Sequence, residues 1–442
     1  MAGRQQRSLM LQILGCGSLG TLFLGSAMVA TSPAAASSSR TSLFSSPSPK
    51  AVCKGADGYQ AAGGVRTFLW RPEWLAANKA ALAADAEART RLIRTADAAL
   101  RRGPYSVTDK PEAAQSGDPR DYLSIGPYWW PNGKSADGKP YQRRDGQVNP
   151  ERNGDKFDAT RFSRLSRDVE TLALAWHMLG ERKYAEHAAK LIRTWFIDPK
   201  TRMNPNLDYA QAVPGVSAGR PEGIIDAARL TSVVEAMGVL GPSGALSPEE
   251  HGTVEAWFGD MAQWMATSPN GKAERRAKNN HGVFYDMLLG HFALYARLEP
   301  VTAKLAEAFP QTRLAPQLAA DGSLPAETAR TRSWHYSIFT LTAAARMAML
   351  GECVGADIWG WTGPDGRSLR KAIGFVAAYR DAPTRWPFRD MDLANPERRE
   401  GAMENAATLF RMAAWGYGTA ELDRAGSAAP TPTMLWLSPY TR

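Results

Sequence analysis

The 442-residue chain carries 53 Lys and Arg against 44 Asp and Glu, a formal charge of +9, with 44% hydrophobic and 22% charged residues. That composition is globular and excludes disordered and fibrous classes. The diffuse positive charge favours an anionic partner. Without zinc-finger spacing, a Lys/Arg-rich helix or an RNA-binding aromatic signature, nucleic acid is not the expected one.

Met1 to Ala36 has the layout of a secretory signal: Arg4 and Arg7 at the start, an apolar run from Leu9 to Ala30, and small residues Ala34, Ala35 and Ala36 for cleavage. Ile13-Leu14-Gly15-Cys16 is shaped like a lipoprotein box, but the apolar run continues past Cys16, which argues against lipid attachment. An uncleaved anchor is the alternative, weakened by the glycine content and the lack of a stop signal. Cleavage removes two arginines and no acid, leaving +7. Residues 37–66 are expected to be a Ser/Pro-rich tether and an N-terminal arm, and 67–442 one large domain. Export predicts a periplasmic or secreted protein with no stable membrane insertion. Such a compartment permits Cys53 and Cys353 to pair, though nothing in the sequence brings them together. No Cys/His cluster has metal-site spacing, and no metal or cofactor is expected.

From Pro72 to Arg102 apolar residues recur at helical spacing, as one long helix or two short ones, ended by Gly103-Pro104. Thr108 to Asp158 is rich in Gly, Pro, Asp and Asn and has no period; so long a loop is usually functional. Helical patterns resume over 161–179 and 184–196, joined by Gly180-Glu181, and Pro199 to Pro221 is again irregular. Further helices are predicted over 224–240, 248–266, 280–297, 301–318, 336–350, 369–379 and 401–415. Strand signals are few. The fold class is therefore all-α, antiparallel helix pairs with function on the long loops. No fixed-period repeat is visible, which favours a ring over a solenoid.

Three polar clusters stand out. In Lys278-Asn279-Asn280-His281, one asparagine caps a helix on which Phe284, Leu288, Phe292 and Tyr295 form the inward stripe, with His281 on the same side. In Arg330-Thr331-Arg332-Ser333-Trp334-His335-Tyr336, Ser333 is a candidate cap and Tyr336 sits in the first helical turn. Two helix starts and an arginine converging on one anion would lower the pKa of that tyrosine, because positive charge favours phenolate. The third cluster is the long loop, with Tyr128, Trp129 and Trp130 followed by Arg143 and Arg144. Aromatic faces and guanidinium forks suit an acidic sugar. Each cluster has an ordinary alternative: a capped helix with a core histidine, a core tyrosine with surface arginines, and a loop clamped by its own aromatics.

Ser124-Ile125-Gly126-Pro127-Tyr128-Trp129-Trp130-Pro131, Pro140-Tyr141 before Arg144-Asp145-Gly146, Asn149-Pro150-Glu151, Asn279-Asn280-His281, and Arg330 followed by Tyr336 resemble the alginate lyase superfamily, which includes polysaccharide lyase families 5 and 38. The resemblance runs from about Phe68 to Trp415. In family 5 the Arg-to-Tyr spacing is one residue longer and a histidine follows the tyrosine. Here Ser337 follows Tyr336 and His335 precedes it, which is closer to family 38. The resemblance implies an (α/α) toroid, an incomplete barrel of antiparallel helix pairs, with a groove for uronic acid polymers. It further implies Asn280 and Arg330 neutralising the uronate carboxylate, His281 as base or neutraliser, and Tyr336 as the acid and, for some sugars, also the base; the protein is expected to be a monomer.

The expected reaction is β-elimination, with Arg143, Arg144, Arg220 and Glu222 as further subsite candidates beside the three loop aromatics. Were the C5 proton and the leaving group on one face, Tyr336 could serve both; on opposite faces, His281 is the expected base. Two other readings compete. One is an (α/α) glycoside hydrolase using two of Asp145, Glu151, Glu222 and Asp226. The other is a periplasmic acidic-sugar-binding protein without turnover.

Overall fold

In the computed structural model, the described residues are 51–61, 64–418 and 435–437. The expected signal and the start of the tether lie outside them. An antiparallel hairpin, β1 (Tyr59–Ala61) and β2 (Val65–Thr67), opens the described chain. The Pro72–Arg102 pattern is two helices, α1 (Pro72–Ala83) and α2 (Ala86–Leu100), because Asp85 accepts from Ala88 N–H and caps the second.

The long loop holds three short strands, β3 (Leu123–Ile125), β4 (Trp129–Trp130) and β5 (Gln142–Arg143). Then come α3 (Ala159–Leu179), α4 (Arg182–Ile192) and β6 (Tyr209–Ala212). The pattern predicted from 224 starts as a 3₁₀ turn, Pro221–Arg229, before α5 (Leu230–Leu240). The chain continues through α6 (Pro248–Thr267), α7 (Pro269–Arg275), α8 (Asn280–Tyr295), α9 (Glu299–Phe309), two single turns, α10 (Ala315–Gln317) and α11 (Pro325–Thr328), then α12 (Ser333–Cys353), α13 (Leu369–Ala377) and α14 (Pro396–Tyr417). The α7 helix and the α11 turn had no clear signal: each is short and begins at a proline, which sequence also places in loops.

The packing follows the layers of a toroid. α3, α5, α8, α12 and α14 touch in that order, each against the next. α4 lies against α3, α6 against α8, α9 against α8 and α12, and α13 against α12 and α14. α8 is the centre of this arrangement: every one of its residues is buried except His281. The single inward stripe read from the sequence is therefore too narrow, because a helix with neighbours on all sides needs no polar face.

Buried polar groups fix the connections. Glu235 on α5 accepts from the backbone N–H of Phe68, Leu69 and Trp70 at 2.9–3.0 Å and lies 2.7 Å from His291 Nε2 on α8. Cys53 is bonded to Cys353, 300 residues away at the end of α12. Cross-linking so long a loop restricts the unfolded chain, so replacing both cysteines by serine should lower stability by about 2–5 kcal/mol. Thermal unfolding with and without reductant measures this; equal midpoints would show that the bridge contributes nothing.

Candidate active site

The start of α8 is built from two carboxylates. Asn279 is the N-cap and accepts from His281 N–H. Asn280, wholly buried, donates its backbone N–H to Glu327 Oε1 at 2.5 Å, and its Nδ2 lies 3.1 and 3.0 Å from the two Glu327 oxygens. His281 Nδ1 lies 2.6 Å from Glu274 Oε1 on α7. Burial pushes both Glu274 and Glu327 above the usual carboxylate range, against the opposing pull of His281 and Asn280 respectively. Gly282 follows because a Cβ there would stand 2.2 Å from Ala277 O and 2.4 Å from the Arg313 guanidinium.

The start of α12 is held differently from the sequence expectation. Ser333 is the first helical residue, not the cap; its hydroxyl donates to Arg389 O, and Asp390 from a distant loop accepts Trp334 N–H at 2.7 Å. Tyr336, 8% exposed, points its hydroxyl at the Tyr128 hydroxyl, 2.7 Å away. The Arg330 guanidinium lies 3.9 Å from the centre of the Tyr336 ring and donates to Asp145 at 2.8 Å. The expected lowering of the Tyr336 pKa does not occur. Burial raises it far above the usual tyrosine range, the Tyr128 hydroxyl adds to that, and Arg330 offsets only part. Arg330 is itself paired with Asp145, and a phenolate without water is costly. His335, next to Tyr336, is pushed down to about 4 by burial and by Arg332 and Arg330, so it is neutral at neutral pH.

These groups line one cleft of about 1040 Å³. Asn280, His281, Arg330 and Tyr336 meet there with Tyr128, Trp129, Arg143, Arg220 and Glu222. Trp130 and Arg144 are not in its lining: the Arg144 guanidinium lies 5.0 Å from the Trp130 ring, and Trp130 Nε1 donates to Gln147 O. The strand pairing explains the split. β4 pairs with β5 so that Trp129 faces Arg143 and Trp130 faces Gln142, and successive side chains point to opposite faces.

Sequence reasoning missed Glu274, Glu327, Gln211 and Arg152. Gln211 on β6 sits at φ 50°, a strained conformation for a non-glycine residue, and its carbonyl and side-chain oxygens receive Arg220 at 2.9 and 3.0 Å. Nothing in helical or strand spacing marks these residues: Glu327 and Arg152 act on groups 47 and 74 positions away, and Glu274 and Gln211 act across a turn onto another element. The four hydrolase candidates are differently placed. Asp226 is buried and receives Tyr122, Ser124 and Arg152; burial opposes its charge, but Arg152 and Arg229 hold it below the usual range. Asp145 is held down to about 2, since Arg330, Thr331 and Arg143 outweigh its burial. Glu151 receives Tyr141 at 2.7 Å, and Glu222 faces Arg220 at 3.6 Å. Among the described residues no three His, Cys, Asp or Glu side chains group as a metal site, and no helix is long and apolar enough to cross a membrane.

The family model described as alginate lyase matches residues 106–386. No curated protein matches the chain. A crystal structure of an alginate lyase from Bacteroides ovatus is 37% identical, with a TM-score of 0.78 over 83% of this chain and 97% of that one. Alginate lyase A1-III from Sphingomonas species A1 is 17% identical, with a TM-score of 0.49 over 87% and 95% of the two chains. A histidine-to-alanine form of A1-III complexed with tetrasaccharide is 16% identical, with a TM-score of 0.50 over 82% and 92%, a likeness of fold. With its mostly helical toroid, and with a family match across most of the helices that carry the cleft, this chain belongs to the alginate lyase family.

Proposed function

We propose that the protein is an exported polysaccharide lyase that cleaves uronic acid polymers such as alginate by β-elimination in the cleft between α8 and α12. The observation that carries this reading is the meeting of His281 and Tyr336, 55 positions apart in the numbering, with Arg330 and Asn280 in one cleft. Membership of the family and the positive charge of the chain support it.

The uronate carboxylate is received by Arg330 and Asn280. The Asn280 Nδ2 has two hydrogens, and near-equal distances to both oxygens of one carboxylate fit a single N–H shared between them. The second N–H is then left for the substrate. Neutralising the carboxylate makes the C5 proton removable, by stabilising the charge that develops next to it. Glu274 holds Nδ1 of His281, which directs Nε2 to the substrate as the base. His281 takes the C5 proton, the electron pair forms the C4=C5 bond, and the C4–O4 bond breaks. The leaving oxygen takes its proton from Tyr336, whose burial keeps it in the acid form. Tyr128, hydrogen-bonded to Tyr336, is placed to return a proton. Trp129, Arg143, Arg220 and Glu222 supply the walls of the subsites. The mature enzyme works as a monomer in the periplasm or outside the cell, after removal of residues 1–36. Mannuronate, guluronate and glucuronate polymers all present the required carboxylate.

Elimination leaves an unsaturated uronate, so ultraviolet absorbance should rise as the polymer shortens. New reducing ends without that absorbance would establish hydrolysis instead, and binding without either would establish a sugar-binding protein. Tyr336→Phe and His281→Ala should each lower kcat by about 10²–10⁴-fold with helical circular dichroism intact; unfolding of both variants would make them core residues only. Glu274→Gln should lower kcat by more than about tenfold with KM within about twofold, as expected of a residue that orients a base. Because its pKa is raised, Tyr336 should stay protonated through the ordinary tyrosine range near 10. The kcat profile should therefore show no alkaline fall there, and a fall near that value absent from Tyr336→Phe would refute the acid assignment.

A further inference from the structure

Beyond His335 the catalytic cleft meets a second chamber of about 930 Å³, a volume that holds a whole small ligand. The two spaces share three walls, Arg332, His335 and Phe339. The Gly146-Gln147-Val148 stretch of the long loop lines the chamber opposite α12 and α14. It lies close: Gly146, at φ 76°, would bring a Cβ to 2.5 Å from Thr331 Oγ1 and 2.9 Å from Met391 Sδ.

Three arginines line this chamber, and two of them are matched. Arg332 donates to Asp392 at 2.6 Å, and Arg398 lies 3.7 Å from the same carboxylate. Arg346, three turns into α12, is the exception. Its Nε is buried with no hydrogen-bond partner, and among the described residues it has no ion pair. The carboxylates whose charge it feels are Glu170 and Glu235. Glu235 is already taken by three backbone N–H groups and His291, and Glu170 receives Trp436 Nε1 at 3.0 Å. Arg346 as a whole is half-buried, and an Nε–H shut off from water without a partner is costly unless something completes the guanidinium. Its planar fork matches a carboxylate.

We infer that this chamber is an anionic sugar subsite in which Arg346 receives the carboxylate of a second uronate of the same polymer, past the wall formed by His335 and Phe339. The inference rests on the lyase reading above. It makes Arg346 a specificity-determining residue that touches substrate away from the reacting bond. A chain with a carboxylate on every sugar fills both the Arg330 and the Arg346 positions; one whose acid groups are interrupted by neutral sugars fills only one.

The test compares the full-length mature wild type with Arg346→Gln and Arg346→Lys, on polymannuronate and in calorimetric binding of a mannuronate tetrasaccharide. Arg346→Gln should raise KM by roughly tenfold or more, with kcat within about twofold, and weaken tetrasaccharide binding in step. Arg346→Lys should fall between the two, because it keeps the charge and loses the fork. Unchanged KM and unchanged binding in a folded Arg346→Gln overturn the inference. So does a lowered thermal midpoint with KM unchanged, which would make Arg346 a counter-ion of Glu170. Where Arg346→Gln does not fold, Arg346→Lys decides, and an unchanged KM in it overturns the assignment. Failure of the wild type to raise absorbance on any uronate polymer is a failure of the lyase reading instead. The tetrasaccharide affinities of wild type and variant then judge Arg346 on their own: weaker binding by the variant supports the subsite, and equal binding removes it.

Discussion

One buried carboxylate, Glu327, sets the start of α8. It takes both the backbone N–H and the side-chain amide of Asn280, groups that a helix start would otherwise leave without partners. Glu327 belongs to the α11 turn, three residues before Arg330 in the short turn that leads to α12. The same contact thus fixes α8 against the segment that carries Arg330. Its cost is the desolvation of a carboxylate, visible in the raised pKa, and the backbone and side-chain N–H groups of Asn280 offset part of it.

Around that anchor the cleft is organised by pairing rather than by free charge. Arg330 leans on Asp145 and on the face of Tyr336. His281 leans on Glu274, and Arg220 on the strained Gln211. Low exposure then decides protonation. Tyr336 keeps its proton and His335 loses its own, the first because a buried phenolate is costly, the second because burial and the nearby Arg332 and Arg330 disfavour an imidazolium.

The long loop gives the cleft its walls. It is held by the parallel pairing of β3 with β6 and by Asp226, which gathers Tyr122, Ser124 and Arg152 beneath it. Its aromatics divide by the pleat: Trp129 into the cleft wall, Trp130 against Arg144 outside. Further along, the same loop reaches Thr331 and Met391 and lines the chamber of Arg346. A segment without internal period therefore bounds both spaces, held by its own β4–β5 pairing and by contacts with residues far from it in the chain.

Periodicity and punctuation by themselves determined most of the longer helices, the two irregular segments and an asparagine cap at 279 or 280, since these depend on residues within a turn or two of one another. The motifs around Asn280, His281, Arg330 and Tyr336 also marked where chemistry was to be sought. Only the tertiary structure decided that α8 is buried on every side, that Asp390 rather than Ser333 caps α12, and that Cys53 meets Cys353. It alone set the direction of the Tyr336 shift and revealed Glu274 and Glu327 as partners. The reason is common to all of these: burial and long-range pairing depend on distances through space, and a local pattern of residues carries no record of which remote group will stand opposite.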